Sequence, residues 1–135
     1  MTNLIKPGEA PEVADVIRKL LAAMSKLDLS TFRSLVTPGF YCFDIGKRFN
    51  ADGLMEMFGA AQQDGKKFLW SVTEPDVHIY DDCAWISYLN VGSIQISAVA
   101  DATPMMWLES AFLQRSEKGW KVAFFHSTRA ASVAN

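Results

Sequence analysis

The stretch Trp107-Leu-Glu-Ser-Ala-Phe-Leu-Gln-Arg115, then Ser-Glu-Lys-Gly119, then Trp120-Lys-Val-Ala-Phe-Phe-His-Ser-Thr128 decides the fold. Two runs rich in aromatic and apolar residues flank a polar segment ending in glycine, so the spacing predicts two long strands and a tight turn. Side chains alternate between the two faces of a strand. Read without interruption, the alternation places His126 on the face of Trp120, Val122, Phe124 and Thr128. It places Glu109 and Arg115 on the face of Trp107, Ala111 and Leu113, where they either reach a polar group of a cavity or, as the favoured expectation, form cross-strand ion pairs on a solvated or partner-facing surface; the spacing does not decide which face is inward. A hairpin of this kind gives an apolar wall with a polar group near its rim, which suits a small-molecule pocket.

Working back from the hairpin, Asp101 to Pro104 reads as a turn and Cys83 to about Val99 as a long strand, with Gly92 as a bend or bulge. Asp81-Asp82 is another turn. Phe68 to Tyr80 reads as one strand interrupted by Pro75, which marks a break, a bulge or an edge. The first half of the chain is helical. Val13, Ile17, Leu20, Leu21, Met24 and Leu27 recur at helical spacing after Pro11, giving one buried stripe. Ser30 is expected to cap a short second helix running to Val36 and ended by Thr37-Pro-Gly39. Phe40 to Ile45 is a strand, Gly46-Lys47 a turn and Arg48-Phe49 a short return strand. Asn50 or Asp52 caps a third helix closed by Asp64-Gly65. The order predicts an α+β roll: a strongly curved, mostly antiparallel sheet around a long N-terminal helix, with two shorter helices. One domain over 9–129 is expected, with flexible tails at 1–8 and 130–135.

Composition narrows the function. The 135 residues are half hydrophobic and 21% charged, with a formal net charge of −2. No basic stripe suggests nucleic acid. No apolar run approaches bilayer length, and no partner membrane is expected. The two cysteines, Cys42 and Cys83, read as buried free thiols in a reducing compartment, so the cytoplasm is the expected location. No CxxC motif or His pair at ligand spacing supports a metal, and no phosphate-binding loop supports a cofactor.

The chain resembles the SnoaL-like branch of the nuclear-transport-factor-two-like, or cystatin-like, superfamily. The resemblance rests on Lys26-Leu-Asp-Leu-Ser-Thr-Phe32 after the first helix, Asp81-Asp-Cys-Ala-Trp-Ile86 between strands, and Gly119-Trp-Lys-Val-Ala-Phe-Phe-His-Ser-Thr128 at the end. It implies a cone-shaped roll with a cavity at one end, and a homodimer packed through the outer sheet faces. Related proteins include isomerases, cyclases, dehydratases, hydrolases and pure association domains, so the fold does not select an activity.

Asp44 is the leading candidate for chemistry. Alternation places it with Phe40 and Cys42, away from Tyr41, Phe43 and Ile45, and a carboxyl among apolar groups has a raised pKa suited to a general base or acid. Its position also resembles that of the proton-abstracting aspartate of steroid isomerases. The positions that resemble that family's other two catalytic groups hold Leu20 and Ala111-Phe112, so steroid isomerisation itself is not expected. His126 is the candidate second acid–base group. Tyr88, Trp107, Phe124, Leu20, Met24 and Phe58 are the expected ligand contacts. Three readings stay open: a binder of a compact, largely apolar molecule, a cofactor-free acid–base enzyme using Asp44 and His126, and an association module whose cone is filled by its own side chains.

Overall fold

The first helix, α1 (Glu9–Lys26), buries Val13, Ala14, Ile17, Leu20, Leu21, Ala23 and Met24 along one stripe. In the computed structural model, which describes residues 9–131, this stripe is the axis on which the sheet is wound. The expected tails at 1–8 and 132–135 lie outside the described residues; Ala130 and Ala131 continue irregularly from the last strand. Leu27 does not extend the stripe. It takes a positive φ of 55°, its N–H donates to the Met24 carbonyl, and Asp28 N–H donates to the Ala23 carbonyl. This paired closure ends the helix with a leucine in the left-handed position usually given to glycine.

That closure explains a correction. It delivers Asp28, not Ser30, to the start of α2 (Leu29–Ser34), where the carboxylate accepts from the Thr31 N–H at 3.1 Å and the Thr31 hydroxyl at 2.6 Å. These two bonds hold the Asp28 pKa below its ordinary value. The helix stops at Ser34, and Thr37-Pro38-Gly39 lies inside strand β1 (Val36–Asp44) rather than before it. Asn50 caps α3 (Ala51–Gln63), its side chain accepting from the Gly53 N–H at 2.8 Å.

The sheet has seven strands. Besides β1 they are β2 (Lys47–Asn50), β3 (Lys67–Leu69), β4 (Val72–Tyr80), β5 (Cys83–Gln95), β6 (Thr103–Ser116) and β7 (Gly119–Arg129). The order is β2-β1-β7-β6-β5-β3, with β4 pairing the other half of β5's edge. The expected single strand over 68–80 is thus two strands on one edge. The expected strand to Val99 ends at Gln95. Pro75 lies where the β4–β5 register shifts, beside Glu74 at φ 53°. Gly92 sits where the break between β3 and β4 crosses β5; a Cβ there would collide with the Leu69 carbonyl, so only glycine allows the approach. All pairings are antiparallel except β1 with β7, which is parallel and joins the first hairpin to the meander.

The chain is therefore an α+β protein whose curled, mostly antiparallel sheet encloses α1. The closed core runs through Phe32, Cys42, Leu54, Ile86, Leu113, Val122 and Phe125. Among the described residues no helix is long and apolar enough to cross a membrane.

Candidate functional site

One inserted residue decides which side chains reach the interior. Phe112 pairs with Phe124, but Leu113 pairs with Val122, so Ala123 has no partner of its own on β6. Such a bulge reverses the alternation beyond it. Trp120 and Val122 point inward before it; Phe125 and Ser127 point inward after it, and all four are buried. Phe124, His126 and Thr128 turn to the outer face. The expected face of His126 is corrected accordingly. Its ring meets the Phe43 ring edge-on at 5.7 Å, and its Nε2 lies 3.2 Å from the Thr128 hydroxyl. Phe124 packs with Tyr41 and Phe43 outside the sheet rather than lining the interior.

The open end of the cone holds a cavity of about 160 Å³. Leu21 and Met24 reach it from α1, and Met57, Phe58 and Ala61 from α3. Phe68, Trp70, Ile94 and Trp107 supply much of its remaining wall, with Phe125 and Ser127 from β7. Two carboxyl groups complete it: Asp44 at the end of β1 and Glu109 in the middle of β6. Of the expected contacts, Met24, Phe58 and Trp107 line this space. Leu20 is buried in the core beside it without lining it, and Tyr88 acts one step behind the wall, through Glu109.

Glu109 is the residue whose face the sequence left open, with the surface ion pair as the favoured expectation. It does share a face with Ala111 and Leu113, as expected, but that face is the interior, and the side chain is only 7% exposed. Tyr88 donates its hydroxyl to Oε1 at 2.6 Å, Asn90 donates an amide N–H to the same oxygen at 3.2 Å, and Ser127 donates to Oε2 at 2.7 Å. Asn90 is oriented in turn by the Ser71 N–H, which donates to its Oδ1 at 3.0 Å. Burial raises the Glu109 pKa, its three donors act in the opposite direction, and the nearby Asp44 charge raises it further. The signal available in the sequence was the alternation Tyr88, Asn90 against Glu109, three polar groups on inward positions of neighbouring strands; the register that joins them was not visible. Arg115 does form an ion pair, but with Glu9 of α1 at 2.9 Å rather than across strands, and its guanidinium stacks over Trp120 at 4.2 Å.

Asp44 sits where β1 turns into β2. Its pKa is raised by burial, an effect opposed by a hydrogen bond from the Ile45 N–H and by His126 across the strand. Ile45 and Gly46 both take positive φ, 45° and 74°, forming the two-residue link between paired Asp44 and Lys47. A β-branched residue is strained there, and Ile45 borders the cavity mouth. Cys42, buried next along the same face, has its thiol pushed up to about 12, chiefly by burial, and holds no reactive thiolate. Both cysteines are free. Among the described residues no group of three or more His, Cys, Asp or Glu is placed to hold a metal ion.

Helices over a curled sheet agree with what the comparisons show. The SnoaL-like domain family matches residues 13–132. The chain belongs to that family. Its fold is that of a ketosteroid isomerase-like protein from Erwinia carotovora atroseptica, at 18% identity and TM-score 0.73, over 93% of this chain and 99% of that one. An NTF2-like protein with a cystatin-like fold from Novosphingobium aromaticivorans matches at 12% identity and TM-score 0.74, over 93% and 84% of the two chains. The S. rosetta CaMKII hub matches at 21% identity and TM-score 0.75, over 93% and 100%. Identities this low establish shared architecture and nothing about chemistry. No curated protein matches this SnoaL-like chain.

Proposed function

We propose that this SnoaL-like protein binds a compact, largely apolar small molecule in the cavity between α1, α3 and the concave sheet face. The observation that carries this reading is the pairing of an apolar hollow with two carboxyls, Asp44 and Glu109, on its wall. Its 160 Å³ is the size of a single ring; an engineered apolar cavity of about 150 Å³ in another protein holds benzene. The same hollow argues against a cone filled by its own side chains. A thermal-shift screen of single-ring lipophilic compounds tests the proposal. It predicts saturable rises in Tm, lost when Ala61→Phe fills the cavity; flat responses across the screen would refute it.

A second reading has support of its own. Asp44 combines a raised pKa with a place at the cavity wall, the combination required of a proton-abstracting base. Its acid–base partner in this reading is Glu109 rather than His126, because His126 lies on the opposite face of the sheet. A turnover assay against small enolisable ketones and β-hydroxy carbonyl compounds checks it: Asp44→Asn should abolish any activity found while leaving the fold intact. Activity that survives the substitution would exclude Asp44 as the base.

The protein is also proposed to pair with a second copy through its outer sheet face, in the cytoplasm where two free thiols persist. Support comes from one rung of side chains, His78, Trp85, Phe112, Phe124 and Tyr41, in register across neighbouring strands. Trp85 and Phe112 are 42% and 37% exposed, unusual for groups of their size. Asp76 flanks one end of the rung, and Arg48, over the Tyr41 ring, the other. Sedimentation of wild type and Trp85→Glu decides this: a dimer converted to monomer supports it, and a monomeric wild type refutes it.

A further inference from the structure

Building on the pocket reading above, we infer that the ligand of the cavity is an organic cation, a protonated amine carried on a single ring. The charge of the lining gives the first reason. Asp44 and Glu109 reach the cavity, and no lysine, arginine or histidine does. An anionic ligand would meet two carboxyls and no counter-charge against an otherwise apolar wall, which is unfavourable. A carboxylate or phosphate compound is therefore disfavoured as the occupant.

The second reason is the direction of the hydrogen bonds on Glu109. Asn90 cannot turn its oxygen toward Glu109, because that oxygen already accepts from the Ser71 N–H at 3.0 Å. It can only donate, at 3.2 Å. Tyr88 and Ser127 add hydroxyl donors at 2.6 and 2.7 Å. Three donors around one carboxyl suit an acceptor, the ionised form. Burial works against the charge and raises the Glu109 pKa in the ligand-free protein. An ammonium group between the two carboxyls reverses that balance and satisfies both, through charge-assisted hydrogen bonds.

The third reason is the remainder of the wall. Phe58, Phe68, Trp70 and Trp107 all border the same space. Phe58 meets the Phe68 and Trp70 rings edge-on, each at 5.4 Å. Aromatic faces attract cations through their quadrupole, tryptophan most strongly, and do so best where water is excluded. The ring of the ligand is set by the volume, and its charge by the two carboxyls.

Calorimetric titration at neutral pH with benzylamine, benzyl alcohol and benzoate separates the possibilities, since the three share a ring and differ in charge. Benzylamine should bind at least about tenfold more tightly than benzyl alcohol, the difference expected of charge-assisted over neutral hydrogen bonds, and benzoate should not bind. Asp44→Asn should erase the preference for the amine over benzyl alcohol; Glu109→Gln should do the same, provided its circular dichroism matches wild type. Equal or tighter binding of benzyl alcohol in the wild-type protein would overturn the cation assignment and leave the pocket reading standing. A preference for benzylamine that persists in Asp44→Asn would overturn the assignment too, placing the amine elsewhere. Failure of all three probes to bind would overturn both readings together.

Discussion

Phe124 and Phe125 are neighbours in sequence and opposites in environment. Phe125 is 1% exposed in the core and borders the cavity; Phe124 packs with Tyr41 and Phe43 on the outer surface. The contrast extends across the whole sheet. Polar groups on the concave face, Tyr88, Asn90, Glu109 and Ser127, are joined into one hydrogen-bonded network. Those on the convex face pair loosely or meet solvent, as His78 does with Asp76 at 3.0 Å while stacking on Trp85. The same strands thus make an apolar wall with a few well-bonded polar groups and an aromatic outer surface with none of that order. The lesson is that a polar residue's role here follows from its face, and its face depends on single-residue irregularities.

The sharpest way to break the comparison is to truncate each phenylalanine. Phe125→Ala should cost about 3–5 kcal/mol in urea unfolding, the usual range for a fully buried ring. Phe124→Ala should cost about 1 kcal/mol in the monomer and show itself mainly in sedimentation, as weakened self-association. Similar costs for the two would mean the bulge at Ala123 does not divide them.

Gly92→Ala probes the edge that holds the cavity's aromatic wall. The new Cβ meets the Leu69 backbone, which cannot move aside without separating β3 from β5. About 3 kcal/mol of destabilisation is expected, with Trp70 fluorescence shifted to the red.

The acid pair sharpens the comparison through pH. Burial raises the folded-state pKa of both Asp44 and Glu109. A carboxyl with a raised folded pKa binds its proton more tightly folded than unfolded, so stability falls as pH rises. The loss begins near the ordinary carboxylate pKa and is complete once pH has passed the raised folded values. In the ligand-free protein, denaturation midpoints should decline across that window. Asp44→Asn should flatten the decline, and an unchanged slope would mean Asp44 is hydrated. The smallest effect is expected at the cavity mouth. Ile45→Asn places a residue that tolerates positive φ in the strained turn and should add about 1 kcal/mol of stability. It should also weaken ligand binding by opening the mouth, whereas a purely structural Ile45 would leave binding unchanged.

Much of this architecture was legible in the sequence because strong periodicity has a single physical reading. The stripe of α1, the helix after Asn50 and the long C-terminal hairpin all follow from spacing alone. Asp44 was placed on the right face because β1 runs without irregularity from Phe40 onward. The unreadable features share a cause, since each depends on a partner elsewhere in the chain. Ala123 is an ordinary strand residue until β6 fails to offer it a mate, and that failure sends His126 outside. Glu109 looks like a surface ion-pair residue until Tyr88, Asn90 and Ser127 converge on it from two other strands. Asp28 displaces Ser30 as a cap only because the end of α1 swings it into position. The parallel pairing of β1 with β7 joins segments about eighty residues apart and leaves no local mark.

The central claim is that two carboxyl groups are held in a largely apolar hollow on the concave face. Following the side-chain carboxyl carbons of Asp44 and Glu109 by ¹³C NMR through a pH titration of the ligand-free protein tests it most directly. The account predicts that both titrate above the ordinary carboxylate range, and that Asp44→Asn lowers the Glu109 midpoint by removing a neighbouring charge. Midpoints at ordinary values for both groups, indifferent to one another, would contradict it.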